Sequence, residues 1–63
     1  MHKYYYSGPV MLFERCIANN WYGETMAPTA EKAKSNLIFR FKKENNMVPN
    51  TKISFVGKVI LMD

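Results

Sequence analysis

Aromatic and β-branched residues dominate the beginning of the chain, over residues 3–17. Such residues are enriched in strands, because they fit a pleated surface that is partly buried. The pattern predicts one long strand that is interrupted at Gly8 and Pro9. Because proline offers no N–H to a ladder, we expect a kink, a bulge or a free edge at this point.

A second strand is predicted over residues 21–27, where it returns antiparallel to the first and forms a hairpin with it. The residues between the two strands are Ala18, Asn19 and Asn20. Asparagine is typical of turns, since it tolerates left-handed backbone and hydrogen-bonds to its own chain. The hairpin turn is therefore expected at residues 18–20.

A helix is predicted over residues 29–44. Pro28 pushes the residue before it into an extended conformation, and Thr29 is a favourable N-cap. At 100° per residue, the apolar side chains gather on one face, with Lys34 as a polar exception. Phe39 lies on the opposite side of the helix, among polar residues. The apolar face contains Ala30, Ala33, Leu37, Ile38 and Phe41.

The C-terminal residues 52–63 are predicted to form a last strand. Ile53 and Phe55 alternate with polar neighbours, and Gly57 indicates a bulge. The element order is then β-β-α-β, an α+β fold in which a three-stranded antiparallel sheet carries one helix across one face. Residues 1–63 form a single domain, because a chain of this length supports only one small core.

The net charge of +4 is concentrated in the helix. Residues 29–46 carry five basic and two acidic side chains, which gives +3, whereas residues 1–28 are neutral. A basic helix with an exposed aromatic residue is typical of nucleic-acid binding, through phosphate contacts and base stacking. The predicted partner is DNA or RNA. The candidate nucleic-acid-binding or interface residues are Lys32, Asn36, Phe39, Arg40, Lys42 and Lys43.

Two other interpretations fit the same residues. Lysines on an outward helix face also occur simply as solvated surface, and Phe39 would equally be the buried anchor of a protein interface. In that case the chain is a protein-interaction module, either an inhibitor of a host protein or a homodimer. In the homodimer the apolar terminal strands could pair edge to edge. At least one of the consecutive residues Tyr4, Tyr5 and Tyr6 should look outward, since strand residues alternate between faces.

Candidate chemistry is sparse. His2 and Cys16 are the only soft metal ligands, and a structural zinc site takes four. Cys16 is expected to be a small buried hydrophobic residue on its strand. A lone cysteine without a signal peptide or a membrane-spanning run indicates the cytoplasm. The sequence therefore predicts a non-enzyme with no catalytic residue, metal, cofactor, small-molecule substrate or membrane association.

A family resemblance is carried by the segments GPVM, IANNW, GETMA and KAKSNL. On these segments the chain resembles small uncharacterised proteins encoded by phages and mobile elements of Gram-positive bacteria, which implies a mobile-element origin and no particular activity. The step from strand to threonine cap to helix is also similar to that of double-stranded RNA-binding domains and of the arm-binding domains of conjugative-transposon integrases. Of the lysine cluster in the first of these families, only Lys32 and Lys34 would correspond.

Overall fold

The structure is a computed structural model and describes residues 1–62. The strand β1 is central in the sheet: it pairs antiparallel with β2 on one side and with β3 and β4 on the other. The helix packs against one face of this sheet, so the predicted α+β fold with its antiparallel sheet and single packed helix is confirmed. In chain order the elements are β1 (His2–Leu12), β2 (Arg15–Ala27), α1 (Ala30–Glu44), β3 (Ile53–Phe55) and β4 (Ile60–Leu61).

The hairpin turns at Phe13 and Glu14, so the prediction of a turn at residues 18–20 is wrong. Leu12 pairs with Arg15, which leaves a two-residue loop. Phe13 has a φ of 56°, the left-handed backbone that tight hairpin loops require at their first position. Burial of apolar side chains outweighs the preference of asparagine for turns here. With the turn at residues 13 and 14, the alternate apolar side chains of both strands face the helix.

The asparagines lie instead in a bulged part of β2. The β1–β2 register shifts between Gly8 and Val10 and again between Val10 and Met11, and at each shift β2 contributes one residue more than β1. A β-bulge, like a turn, accepts residues such as asparagine that tolerate left-handed backbone. The predicted irregularity at Gly8 and Pro9 is confirmed, and Gly8 has a φ of 151°, which side-chain-bearing residues rarely adopt.

The strands β3 and β4 follow one line along β1, because both pair with it in the same antiparallel register. The ladder is interrupted over residues 56–59, which lie opposite the part of β1 that contains Pro9. The prediction of one continuous strand over residues 52–63 is therefore wrong at its middle, and Gly57 lies in the interruption rather than in a bulge. Asp63 lies outside the described residues.

The helix begins and ends close to the predicted bounds. Thr29 is its N-cap, and the Thr29 Oγ1 accepts a hydrogen bond from the Lys32 N–H at 3.2 Å. Most of the predicted apolar face does pack on the sheet, while Ile38 is half-buried. The prediction fails for Ala30, which is exposed in the first turn. The fully packed positions are Ala33, Leu37 and Phe41.

Four aromatic rings join the elements across the core. The rings of Tyr6 (β1) and Phe55 (β3) stack with centroids 4.0 Å apart at 7°. Trp21 (β2) lies 5.8 Å from Phe55 and meets Phe41 (α1) edge-on at 5.5 Å. An edge-to-face pair such as Trp21–Phe41 adds about 0.5–1.5 kcal/mol beyond area burial. This aromatic layer therefore ties three strands to the helix.

The hairpin loop provides a test of the turn position. Phe13 is 77% exposed, so its side chain contributes little burial, while its left-handed backbone costs about 1–2 kcal/mol for a residue with a Cβ. Phe13→Gly should therefore be about 1 kcal/mol more stable than Phe13→Ala in urea unfolding. Both variants lose the same ring, so equal stability of the two would contradict a turn at this residue.

Gly23 provides a test of the aromatic layer. A Cβ at Gly23 would lie 2.4 Å from the Trp21 ring, so Gly23→Ala must displace that ring from Phe41 and Phe55. We expect a loss of about 1–3 kcal/mol in unfolding free energy and a change in tryptophan fluorescence. Gly57→Ala is the matched control, since its Cβ would only reach ordinary contact with Tyr6 at 3.6 Å. Equal effects of the two substitutions would refute the packing.

Candidate functional site

Four of the six candidate residues form a stripe along the outer face of α1: Lys32, Asn36, Phe39 and Lys43. All four are exposed, and Phe39 is 58% exposed. The two lysines are eleven residues apart, which is about 16 Å along a helix axis. Phe39 therefore lies between two cations on a surface turned away from the sheet.

Two of the six candidate residues also have structural roles. Arg40 Nη1 donates a hydrogen bond to the backbone oxygen of Glu24 at 2.6 Å, which fastens the helix to the unpaired edge of β2. Lys42 Nζ donates to the backbone oxygen of Pro49 at 2.8 Å and holds the segment that follows the helix. The other four candidate side chains, those of the exposed stripe, make no such structural hydrogen bond to a backbone oxygen in the described chain.

The acidic residue at the end of the helix is directed towards the sheet. Glu44 Oε1 accepts a hydrogen bond from Trp21 Nε1 at 3.1 Å. This bond draws the carboxylate towards the aromatic layer, on the side of the helix away from Phe39. The stripe itself therefore contains two lysines and no acidic residue.

The face of the sheet opposite the helix is a second exposed surface. Of the three consecutive tyrosines, Tyr4 and Tyr6 are buried under the helix and Tyr5 points to this outer face, as the alternation predicts. Tyr5 lies between Glu24 of β2 and Ile60 of β4 in the strand register. No layer formed by residues 1–62 covers this face.

Apolar side chains surround Tyr5 on this face. The Tyr22 ring lies 5.8 Å from that of Tyr5, and Met26 pairs with Lys3 in the next row. The N–H of Met62 donates to the backbone oxygen of Lys3 at 2.8 Å, which aligns Met62 with the same row. We call these apolar residues the outer patch: Tyr5, Tyr22, Met26, Ile60 and Met62.

A polar trio crosses the outer patch. Lys3 Nζ lies 3.0 Å from Glu24 Oε1, and the Tyr22 hydroxyl donates a hydrogen bond to Glu24 Oε2. The bond from Tyr22, with the help of Lys3, lowers the pKa of the Glu24 carboxyl. The same bond raises the pKa of the Tyr22 hydroxyl. The trio therefore holds one positive and one negative charge on the face.

Cys16 is exposed, so the prediction that it is buried is wrong. Because the hairpin turns at residues 13 and 14, Cys16 pairs with Met11 near the end of the hairpin. Its single S–H can donate to either of two acceptors, the Ala18 backbone oxygen at 3.3 Å or Asn19 Oδ1 at 3.4 Å. Within residues 1–62, no group of three or more His, Cys, Asp or Glu side chains is arranged to hold a metal ion.

A cleft of about 220 Å³ lies between the start of α1 and the interruption between β3 and β4. Its charged side chains carry both signs and are exposed. Small-ligand sites have a few convergent polar groups inside a largely enclosed apolar cavity, and this cleft lacks that construction. Its walls are formed by Ala30, Glu31, Lys34, Gly57, Lys58 and Val59.

Comparison with known proteins returns no relative. No protein-family model matches the chain, and no curated protein or solved structure is significantly similar to it. The resemblance to phage and mobile-element proteins therefore stays a prediction. In the described part of the chain, no helix is long and apolar enough to cross a membrane.

The polar trio can be tested by titration. Removing the hydroxyl in Tyr22→Phe should raise the pKa of Glu24 towards its ordinary value of 4.5, because the largest cause of its depression is lost. A carboxyl with a lowered folded-state pKa adds stability above its unfolded pKa and loses it as the pH falls. The wild type should therefore lose more stability than Tyr22→Phe as the pH falls through the unfolded-state pKa of this carboxyl, because the mutant has less of this stabilisation to lose.

Carbon-detected NMR of the Glu24 carboxyl measures this pKa directly. Tyr5→Phe is the control, since it removes a hydroxyl from the neighbouring ring and leaves the Tyr22 bond to Glu24 intact. An unchanged Glu24 pKa in Tyr22→Phe would show that the hydrogen bond does not form in solution.

Proposed function

We propose that this protein is a non-enzymatic accessory protein that binds nucleic acid through the outer face of α1. The observation that carries the proposal is Phe39, which is 58% exposed between two exposed lysines. An exposed phenylalanine costs solubility on a monomer surface, and a base-stacking role accounts for it. Lys32 and Lys43 would supply the phosphate contacts on either side.

The geometry favours a single strand over a duplex. An aromatic side chain stacks on a base only when that base is unpaired and turned out of the helix, and such stacking tolerates any sequence. Phe39 would be the stacking platform, while Asn36 in the same stripe would donate to the sugar or phosphate. Arg40 and Lys42 would add to the positive field while keeping their bonds to backbone oxygens.

The biological setting is part of the proposal. The resemblance to proteins of phages and mobile elements supports an accessory role in such an element. A lone cysteine that forms no disulfide, as Cys16 is here, is typical of a cytoplasmic protein.

A second candidate function is that of a protein-interaction module. The observation that favours it is the outer patch, where Tyr22, Met26 and Ile60 are each about half exposed. Contiguous exposed apolar surface on a small domain often marks an interaction site. The partner would be a host protein or a second copy of the chain.

A binding experiment distinguishes base stacking on Phe39 from phosphate contacts by the two lysines. Phe39→Ala should weaken binding to a fluorescent single-stranded oligonucleotide by about 1–3 kcal/mol, or roughly five- to 150-fold, with no change in salt dependence. Lys32→Ala and Lys43→Ala should each reduce the slope of log affinity against log salt by about 0.7. Fluorescence anisotropy at several salt concentrations measures both quantities.

Arg15→Ala is the matched control, because it removes one exposed cation from the hairpin end of β2 rather than from the helix. Its binding should stay close to that of the wild type. Absent or salt-insensitive binding of the wild type to both DNA and RNA oligonucleotides would overturn the proposal, and so would equal losses in Arg15→Ala and Lys43→Ala.

A further inference from the structure

We propose that two copies of this chain associate face to face through the outer patch, with the two helices on the outside of the resulting sandwich. The inference does not rest on nucleic-acid binding. Its starting point is the composition of the patch: Tyr22, Met26 and Ile60 are 52%, 51% and 46% exposed, and they surround Tyr5 on one side of one sheet. Apolar sheet faces normally pack against another layer.

The core of the chain is small. Only nine hydrophobic residues of the described chain are buried. A domain of this length commonly needs oligomerisation or another staple to be stable.

The size of the chain sets an upper bound on such an interface. The chain measures 31 × 20 × 16 Å, and the smallest dimension of a two-layer fold is the one across its layers. The sheet face therefore covers at most roughly 600 Å², and two opposed faces would bury at most about 1,200 Å². This is the lower bound of specific interfaces, so the inferred dimer must use most of the face.

The charges on the face favour a second copy as its occupant. An interface with two-fold symmetry must be complementary to itself. The outer patch carries one cation and one anion, Lys3 and Glu24, which already form an ion pair. Two copies can therefore approach without net repulsion and with Lys3 of each near Glu24 of the other. The outer face of the helix is basic, so the same association through Phe39 would bring like charges together.

The edge of the sheet is a poorer interface than its face. The sheet has two unpaired edges: β2 is bulged opposite the stretch between Gly8 and Met11, and the other edge, formed by β3 and β4, is interrupted over residues 56–59. On the β2 edge, Arg40 of the helix covers the Glu24 backbone oxygen. Bulges and covered carbonyls are the devices that prevent edge-to-edge pairing. The geometry thus favours face-to-face association over the edge pairing that the apolar strands suggest.

A charge placed on the patch tests the inference. Wild-type protein, kept reduced because Cys16 is exposed, should show twice its 7.4 kDa mass in sedimentation equilibrium. Ile60→Lys should raise the dissociation constant by at least about tenfold, since the interface would then bury one unpaired ammonium group from each copy. Val48→Lys is the matched control: it makes the same change at an exposed position outside the patch and should remain dimeric.

A second variant guards against misfolding. If circular dichroism shows that Ile60→Lys is unfolded, Met26→Lys introduces the same charge from β2, at a side chain that is 51% exposed. A wild-type chain that stays monomeric into the millimolar range would overturn the inference. So would a dimer that survives both patch variants, or one that only Phe39→Lys dissolves.

Discussion

The ring contacts among Tyr6, Phe55, Trp21 and Phe41 are the interaction on which this small fold depends. Each ring belongs to a different element, and with nine buried hydrophobic residues in the described chain the layer forms the centre of the core. Gly23 leaves the space that the Trp21 ring occupies. The Tyr6 hydroxyl donates to the Pro9 backbone oxygen at 2.6 Å and accepts from the Gly57 N–H at 3.4 Å, so the layer also bridges the interruption between β3 and β4.

Two outward faces follow from this layer, and their chemistry differs. The helix is held on the inner face by its buried side chains, which turns the stripe around Phe39 to solvent. The opposite face of the sheet then has no layer of the described chain above it. The helix face is basic with one exposed ring, which suits a phosphate-bearing strand, whereas the sheet face is apolar and nearly neutral, which suits a second copy. The two proposed roles can therefore coexist in one assembly.

The features that could be predicted from the sequence are those set by hydrophobic periodicity and by helix capping. The helix, its Thr29 N-cap, the exposure of Phe39 and the α+β architecture all follow from local patterns that the fold preserves. The hairpin turn could not be predicted, because a phenylalanine with left-handed backbone is a poor turn signal while two asparagines are a strong one. The burial of Cys16 was mispredicted for the same reason, since the position of the turn decides which side chains end up covered.

The outer patch was only partly foreseeable. Alternation predicted an outward tyrosine, but the neighbours of Tyr5 depend on the long-range register with β2 and β4, which no local signal encodes. The most direct test of two separate working faces is an amide shift map of labelled protein titrated with a single-stranded oligonucleotide at low salt. We predict shifts over Lys32–Lys43 and unchanged amides in the outer patch. Amide shifts centred on Tyr5 and Tyr22, with no shifts in the helix, would contradict the account.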